Sequence, residues 1–192
     1  MIKLHLGCGR NILDGWINTD YNTAKFGGSK YLDVTKKFPY DNNSVDYIFS
    51  EHMIEHISYQ DGKFMLEESF RVLKSSGKIR ISTPDLKFLI KLYNEDKTEL
   101  QKRYIEYSFE EYKLDGNSDT FVINNFHRDW GHIFIYDEKT LKSLFESIGF
   151  FDLKCYGLME SDDEELRGLE HIIRQPDGFI QLESFTVEGT KK

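Results

Sequence analysis

Small and acidic residues follow four apolar segments in the first fifty residues, at spacings typical of a nucleotide site. Gly7-Cys8-Gly9 follows an alternating apolar stretch, Asp20 and Asp33 end the next two, and Ser50-Glu51-His52 follows the fourth. In an open parallel sheet, ligands bind beyond the carboxyl ends of the strands. Glycines let the backbone approach a ligand closely, and an acid after the second strand can accept hydrogen bonds from both ribose hydroxyls. We therefore predict a nucleotide-type cofactor site at these strand ends.

A second candidate for chemistry is His52-Met-Ile-Glu55-His56, which matches the H-x-x-E-H pattern of inverted zinc peptidases. That chemistry needs both histidines on one helical face and Glu55 as the base. The segment directly follows a buried-looking strand, and the sequence shows no clear third ligand, so we expect no metal here. His56 would instead fill the turn below the strand, or His52 and His56 would lie near the reacting group.

The segment "NNFHRDWGH" supplies candidates for acid–base catalysis. His127 and His132 are candidate bases, since histidine titrates near neutral pH, and Asp129 is a candidate orienting partner. Trp130 could stack on a ring or a sugar face. The alternative is an ordered loop whose histidines bond only to backbone.

Composition restricts the class of protein. The 192 residues fit one domain spanning 1–192, and a formal charge of −8 argues against nucleic acid or an anionic membrane as partner. Two distant cysteines, Cys8 and Cys155, suit a reducing cytoplasm. The start "MIKLHLGCG" is too interrupted for a signal peptide, and no apolar segment could span a membrane.

The hydropathy pattern predicts a mainly parallel α/β sheet. The strand candidates are residues 3–6, 16–19, 30–33, 45–50, 78–83, 151–156 and about 180–188. Helices are predicted over 58–77, with Gly77 as the C-terminal cap, and over 136–149, with Asp137 as N-cap and Gly149 as C-cap. A long helical pattern runs through an insertion at about 86–130. Four phenylalanines are assigned to the core: Phe26, Phe38, Phe49 and Phe70.

The connection between the first two strands is too short for the usual helix. Residues 10–15 advance about 9 Å as an α-helix but up to about 20 Å extended, and the return along a strand of five residues takes roughly 16 Å. We therefore predict that "RNILDG" is not an α-helix.

Residues 3–85 resemble the class I S-adenosylmethionine-dependent methyltransferases of the small type-11 kind. The matching stretches are "LHLGCGRN", "WINTDYN", "YLDVTKKFPYDNNSVDYIFSEHMIEHI" and "EESFRVLKSSGKIRISTPD". Ser76 replaces the first glycine of the family's R-V-L-K-x-G-G element, and Asn11 follows the turn where the family has a third glycine. The resemblance implies a Rossmann-like seven-stranded sheet with an antiparallel last strand, helices on both faces and a first crossover helix that is shortened or absent.

The resemblance also implies S-adenosyl-L-methionine as the cofactor. The expected cofactor site comprises Leu6, Gly7, Cys8, Gly9, Arg10, Asn11, Asp20, Tyr21, Asp33, Val34, Ser50, Glu51 and His56. Arg10 would supply the positive charge near the cofactor's carboxylate that a helix N-terminus normally provides. His127, His132, Asp129 and His52 are the catalytic candidates.

The predicted reaction is methyl transfer to oxygen or nitrogen of a small molecule, such as a sugar or another metabolite. The insertion at 86–130 would be a lid or substrate wall, or the arm of a homodimer. Two other functions stay open: a non-catalytic S-adenosylmethionine-binding regulatory domain, and a zinc hydrolase using His52, Glu55 and His56.

Overall fold

A computed structural model describes residues 1–25, 27–94 and 96–192. The strands of its seven-stranded sheet are β1 (Lys3–Leu6), β2 (Ile17–Asp20), β3 (Lys30–Tyr31), β4 (Val45–Glu51), β5 (Leu73–Pro84), β6 (Phe150–Tyr156) and β7 (Ser184–Lys191). The helices are α1 (Tyr59–Val72), α2 (Leu86–Asn94), α3 (Glu99–Glu111), α4 (Asp119–Arg128), α5 (Glu138–Ile148) and α6 (Phe179–Glu183). No helix of the described chain is long and apolar enough to cross a membrane.

The strand order is β3-β2-β1-β4-β5-β7-β6, and the pairs from β3 to β5 are parallel. β7 lies antiparallel between β5 and β6. The predicted fold, with its antiparallel last strand, is confirmed. The carboxyl ends of β1 to β5 therefore meet along one edge, where the order reverses between β1 and β4.

The crossover from β1 to β2 contains no helix: residues 7–16, all of them described, form turns and irregular structure. Leu4 nevertheless pairs with Ile17 and Leu6 with Thr19, so the two strands are parallel neighbours. The prediction from chain length is confirmed, because an extended link of this length is just able to return along the strand.

One face of the sheet carries the main core. Leu4, Leu6, Ile48 and Ile79 are fully buried there, among side chains of α1 and α5. Asp137 caps α5 by accepting from the Thr140 N–H, and Gly149 ends it with φ 113°, both as predicted. Phe38 and Phe49 are buried and Phe70 packs against the core, whereas Phe26 lies outside the described residues.

Three element predictions are wrong. Helix α1 ends at Val72 and Gly77 lies inside β5, where an added Cβ would be 2.9 Å from the Lys74 carbonyl oxygen. The insertion forms three helices, α2 to α4, around its own apolar cluster rather than one long helix. Residues 179–183 are helical, so the last strand begins later, at Ser184.

Residues 157–175, which we call the strap, cover the opposite face of the sheet. Leu166 and Leu169 pack on Phe49, next to Leu13 and Trp16 of the crossover. Four acidic residues of the strap make ion pairs, such as Asp163 with Lys78 at 2.8 Å. The strap thus occupies sheet surface beside the crossover that lacks a helix.

Arg80 fastens the strap to the sheet. Its guanidinium is completely buried and donates to Glu170 and Glu188, each at 2.6 Å. It also donates to the backbone carbonyls of Glu160 and Gly157. Two carboxylates and two carbonyls therefore surround one buried cation.

We expect Arg80→Met to lower the free energy of unfolding by about 3–5 kcal/mol, because it leaves Glu170 and Glu188 buried without their partner. Denaturant unfolding measures this. The matched control is Lys102→Met, which removes the exposed pair with Glu99 and should change nothing measurable. Equal effects of the two substitutions would contradict the structural role given to Arg80.

His5 should make the fold sensitive to acid. It is buried against Phe49, its Nε2 has no hydrogen-bond partner among the described residues, and burial lowers its pKa from 6.5 to about 4. Between these values the unfolded chain binds more protons, so stability falls as pH falls. From about pH 7.5 to about pH 5, the wild type should lose about 2 kcal/mol more than His5→Leu. Urea titrations at both pH values test this, and identical losses would refute it.

Candidate active site

Two cavities lie at the carboxyl edge of the sheet and share one residue, His56. Cavity A has a volume of about 460 Å³ and is lined by Gly7, Asp20, Tyr21, Leu32, Asp33, Val34, Thr35, Met53, His56 and Ile57. Cavity B has a volume of about 300 Å³ and is lined by His52, Glu55, His56, Pro84, Tyr112, Phe126, Trp130, His132, Arg174, Gln175 and Glu183. Both volumes are in the range of small-molecule sites, roughly 300–1,000 Å³.

Two carboxylates give cavity A its polarity. Asp20 ends β2, and its oxygens accept from the Gly9 N–H at 3.0 Å and the Asn22 N–H at 2.7 Å. Each carboxylate oxygen can accept about two bonds, so Asp20 retains one acceptor site on each oxygen. Oδ1 of Asp33 accepts from the backbone N–H and the hydroxyl of Thr35. Oδ2 accepts from none of the described residues. Both acids are therefore held in place with acceptor capacity to spare.

The turn after β1 approaches cavity A with its backbone. Gly7 has φ 63°, and a Cβ there would lie 2.2 Å from Cγ of Met53. Gly9 has φ 53° and open space around it. A side chain at Gly7 would thus displace the wall formed by Met53, which explains the glycine physically.

These residues fit S-adenosylmethionine. Two free acceptor sites on Asp20 match a ribose diol, and Oδ2 of Asp33 matches an amine donor. Leu32, Val34 and Ile57 add apolar surface for a ring. The cavity size, acceptor set and glycine turn all suit a nucleoside-containing cofactor.

Six of the predicted cofactor residues line cavity A: Gly7, Asp20, Tyr21, Asp33, Val34 and His56. The other seven lie beside it, in structural roles or on the surface. Leu6 is in the core, Ser50 donates to the Leu6 carbonyl, and Cys8, Gly9 and exposed Arg10 form the turn. Burial raises the pKa of the Cys8 thiol to about 11, so this cysteine stays protonated.

Asn11 and Glu51 hold the strap rather than facing cavity A. Asn11 donates to Glu51 at 3.1 Å and to the Leu169 carbonyl at 2.9 Å. Glu51 also accepts from the His171 N–H and lies 3.4 Å from Arg174. Burial raises the pKa of this carboxyl, and Arg174 opposes the shift. The end of β4 is therefore tied to the segment that carries Arg174 into cavity B.

Cavity B combines an aromatic wall with a cluster of titratable groups. Trp130 packs edge-on against Tyr112 and Phe126, at ring distances of 4.8 and 5.3 Å. Glu183 accepts from the Tyr104 hydroxyl and from Gln175, and burial raises its pKa to about 7. The wall comes from the 86–130 insertion, and the polar groups come mainly from the segment after β4, the strap and α6.

Glu55 and three histidines form the cluster. Oε1 of Glu55 lies 3.5 Å from Nδ1 of His52 and 3.9 Å from Nε2 of His56, and the His56 and His132 rings are 5.0 Å apart. Burial raises the pKa of Glu55 to about 8 and lowers those of His52 and His56. Burial, helped by His56, lowers the pKa of His132 to about 4.

The structure separates His127 and Asp129 from this cluster. His127 is exposed on α4 and lines an apolar groove with Leu86 and Ile90. The side chain of Asp129 lines an outer groove, and only its backbone carbonyl accepts from the His132 N–H, at 3.4 Å. His127 lies on another face of α4, and Asp129 follows the helix in an extended conformation. Of "NNFHRDWGH", therefore, only Phe126, Trp130 and His132 reach cavity B.

The H-x-x-E-H segment lacks the helix that a zinc peptidase would need. His52 has φ 45°, and only Ile54–His56 form a short 3-10 turn. Nε2 of His52 lies 2.8 Å from the Ser184 hydroxyl, so this nitrogen already has a partner. The two histidines do not lie four residues apart on one helical face.

Sequence reasoning missed several lining residues. Four of them are close in sequence to the predicted strand ends, which could have indicated them: Leu32, Thr35, Met53 and Ile57. Arg174, Gln175 and Glu183 reach cavity B from a segment with no motif. Only the packing of the strap on the sheet brings them there.

Comparison with known proteins supports a cofactor site of the methyltransferase type at the carboxyl edge of the sheet. Residues 19–81 match a family model described as a methyltransferase domain. No protein with a curated description is detectably similar in sequence. The resemblance to methyltransferases is confirmed, and the match covers residues 19–81 of the stretch 3–85.

Solved structures share the whole fold. A SAM-dependent methyltransferase from Archaeoglobus fulgidus is 19% identical with a TM-score of 0.57, over 98% of this chain and 85% of that one. A SAM-dependent methyltransferase from Thermotoga maritima is 16% identical with a TM-score of 0.53, over 100% and 82%. The phosphoethanolamine N-methyltransferase 2 of Haemonchus contortus, in complex with S-adenosyl-L-methionine, is 14% identical with a TM-score of 0.50, over 98% and 48%. At these identities the likeness shows the fold.

We expect Asp20→Asn to weaken binding of S-adenosylmethionine and S-adenosylhomocysteine by roughly tenfold or more, since it removes a charged acceptor. The amide would also face one of the two backbone N–H groups that Asp20 now accepts. Calorimetric titration measures the effect, with exposed Asp41→Asn as the matched control. Unchanged affinity in Asp20→Asn would remove cavity A as the cofactor site.

Proposed function

We propose that this chain, a methyltransferase with the fold of the S-adenosylmethionine-dependent class, transfers a methyl group to an oxygen or nitrogen of a small molecule held in cavity B. One observation carries the proposal: cavities A and B share His56 as a common wall. A ligand in one cavity therefore lies next to a ligand in the other. Proximity of this kind supplies much of the rate of a displacement reaction.

The residues of cavity A bind and orient the cofactor. When bound, S-adenosylmethionine supplies a methyl group on a sulfonium, and S-adenosylhomocysteine is left when an acceptor takes that group. Asp20 would accept from the ribose hydroxyls and Asp33 from the amine of the base, and the Gly7 turn would let the backbone approach the cofactor. Arg10, exposed at the end of that turn, would pair with the cofactor's carboxylate.

The acceptor is a small molecule with an apolar or sugar face. Cavity B holds about 300 Å³, and Trp130 and Phe126 offer it flat aromatic surface. Arg174 offers donors to its polar groups, and Oε1 of Gln175, which accepts from no described residue, offers an acceptor. The insertion thereby acts as a substrate wall, and the net charge of −8 makes a nucleic-acid acceptor unfavourable. Two cysteines without a disulfide, Cys8 and Cys155, suit work in the cytoplasm.

The test measures S-adenosylhomocysteine production with a panel of small hydroxyl and amine acceptors. For an accepted substrate, Trp130→Ala should lower kcat/KM by roughly tenfold, since it removes stacking surface from cavity B. The affinity for S-adenosylmethionine should stay within about twofold, because Trp130 does not line cavity A.

The matched control is Phe121→Ala. Phe121 and Trp130 are both 39% exposed, and Phe121 lines the outer groove but not cavity B. Phe121→Ala should leave both kcat/KM and the affinity for S-adenosylmethionine unchanged. Equal kinetic losses in the two variants, or cofactor affinity lost in Trp130→Ala, would count against cavity B as the acceptor site.

A further inference from the structure

Three potential metal ligands converge in cavity B from two separate segments. Glu55 and His56 follow β4, and His132 follows α4, yet their ligand atoms all lie within 4.8 Å of one another. Backbone bonds hold the segments together: the N–H groups of Ile133 and Phe134 donate to the Glu55 carbonyl at 2.7 and 3.2 Å. The fold itself therefore brings the three side chains together.

His132 is oriented as a metal-binding histidine would be. Its Nδ1 lies 2.8 Å from the Phe126 carbonyl, which accepts only from the N–H tautomer. Nε2 then carries the lone pair. Histidines that bind metals commonly donate their other ring N–H to a backbone carbonyl in this way.

Glu55 gives an independent indication of a ligand. Its side chain is fully buried, and Oε2 accepts from the Thr83 hydroxyl at 3.1 Å. Oε1 accepts no hydrogen bond from any described residue, although it lines cavity B. Nδ1 of His52 lies 3.5 Å away, too far for a well-formed hydrogen bond. A buried carboxylate oxygen without a hydrogen bond is costly, which favours a bound ligand at this atom.

We propose that Glu55, His56 and His132 bind a divalent transition-metal ion in cavity B. Two imidazoles and one carboxylate suit ions such as Zn²⁺, whereas Mg²⁺ prefers oxygen ligands. In a tetrahedral site the ligand atoms are about 3.4 Å apart, so the cluster closes by about an ångström around the ion. The site takes three protein ligands and leaves further positions open.

This inference rests on the proposed function and specifies the acceptor. A divalent ion at these residues would coordinate an oxygen of the molecule in cavity B and lower the pKa of its hydroxyl. The acceptor would thus be a hydroxyl compound that can bind a metal, such as a vicinal diol. The departing proton would pass to solvent.

The experiment is calorimetric titration of the metal-stripped full chain with Zn²⁺, and separately with Mg²⁺. The wild type should bind one zinc ion per chain with micromolar or tighter affinity and should not bind magnesium measurably. His132→Ala and Glu55→Gln should each weaken zinc binding at least tenfold. His127→Ala, which removes an exposed histidine outside the cavity, should bind zinc like the wild type.

Thermal melts and titration with S-adenosylhomocysteine separate the two proposals. His132→Ala, half-buried and outside cavity A, should keep its melting temperature and cofactor affinity, and Asp20→Asn should keep its zinc affinity. If His132→Ala binds zinc as the wild type does, or if the wild type binds no zinc, the metal site is wrong. The proposed function would be unaffected by either result. Zinc binding as expected without cofactor binding would support the metal site and defeat the proposed function.

Discussion

The buried guanidinium of Arg80 connects the sheet to the strap, which closes one side of cavity B. Through Glu170 and the carbonyls of Glu160 and Gly157 it fixes the strap across β5. The fixed strap presents the His171 N–H to Glu51, which places Arg174 and Gln175 in cavity B. A charge in the middle of the sheet thereby helps to position two residues that line a cavity at its edge. A buried cation is tolerable here because carboxylates and carbonyls satisfy its donors.

The short crossover explains why such a strap is present. Without a helix between β1 and β2, Phe49 would stand on an uncovered face of the sheet. Leu166 and Leu169 of the strap, with Leu13 and Trp16 of the crossover, supply the missing apolar cover. The remaining polar groups of that face, such as Ser82, bond to strap carboxylates. A segment from late in the chain thus performs the packing that a helix would provide early in it.

Sequence reasoning reached the parts of the molecule governed by local rules. The strand ends with Gly7, Asp20 and Asp33 were predictable because parallel strands share one edge, and the missing crossover helix followed from chain length. The role of Gly77 was predicted wrongly because the neighbours that crowd it in β5 include residues distant in sequence, such as Asp46. The residue with the left-handed backbone is Ser76, at φ 64°, where the family pattern has a glycine. Cavity B was only partly predictable. His132 and Trp130 came from a motif, but Arg174 and Glu183 reach the cavity through long-range packing that leaves no local signal.

The position of β7 has a consequence for synthesis of the chain. In the observed order β6 is an edge strand whose neighbour is β7, and β7 in turn lies between β6 and β5. β6 is synthesised first, and its hydrogen-bonding edge stays unpaired until about thirty later residues, including β7, have been synthesised. Such non-local pairing slows folding and exposes strand edges to other chains. On the ribosome, the parallel strands β1 to β5 can therefore form first, and cavity B is completed only after Arg174, Gln175 and Glu183 have emerged.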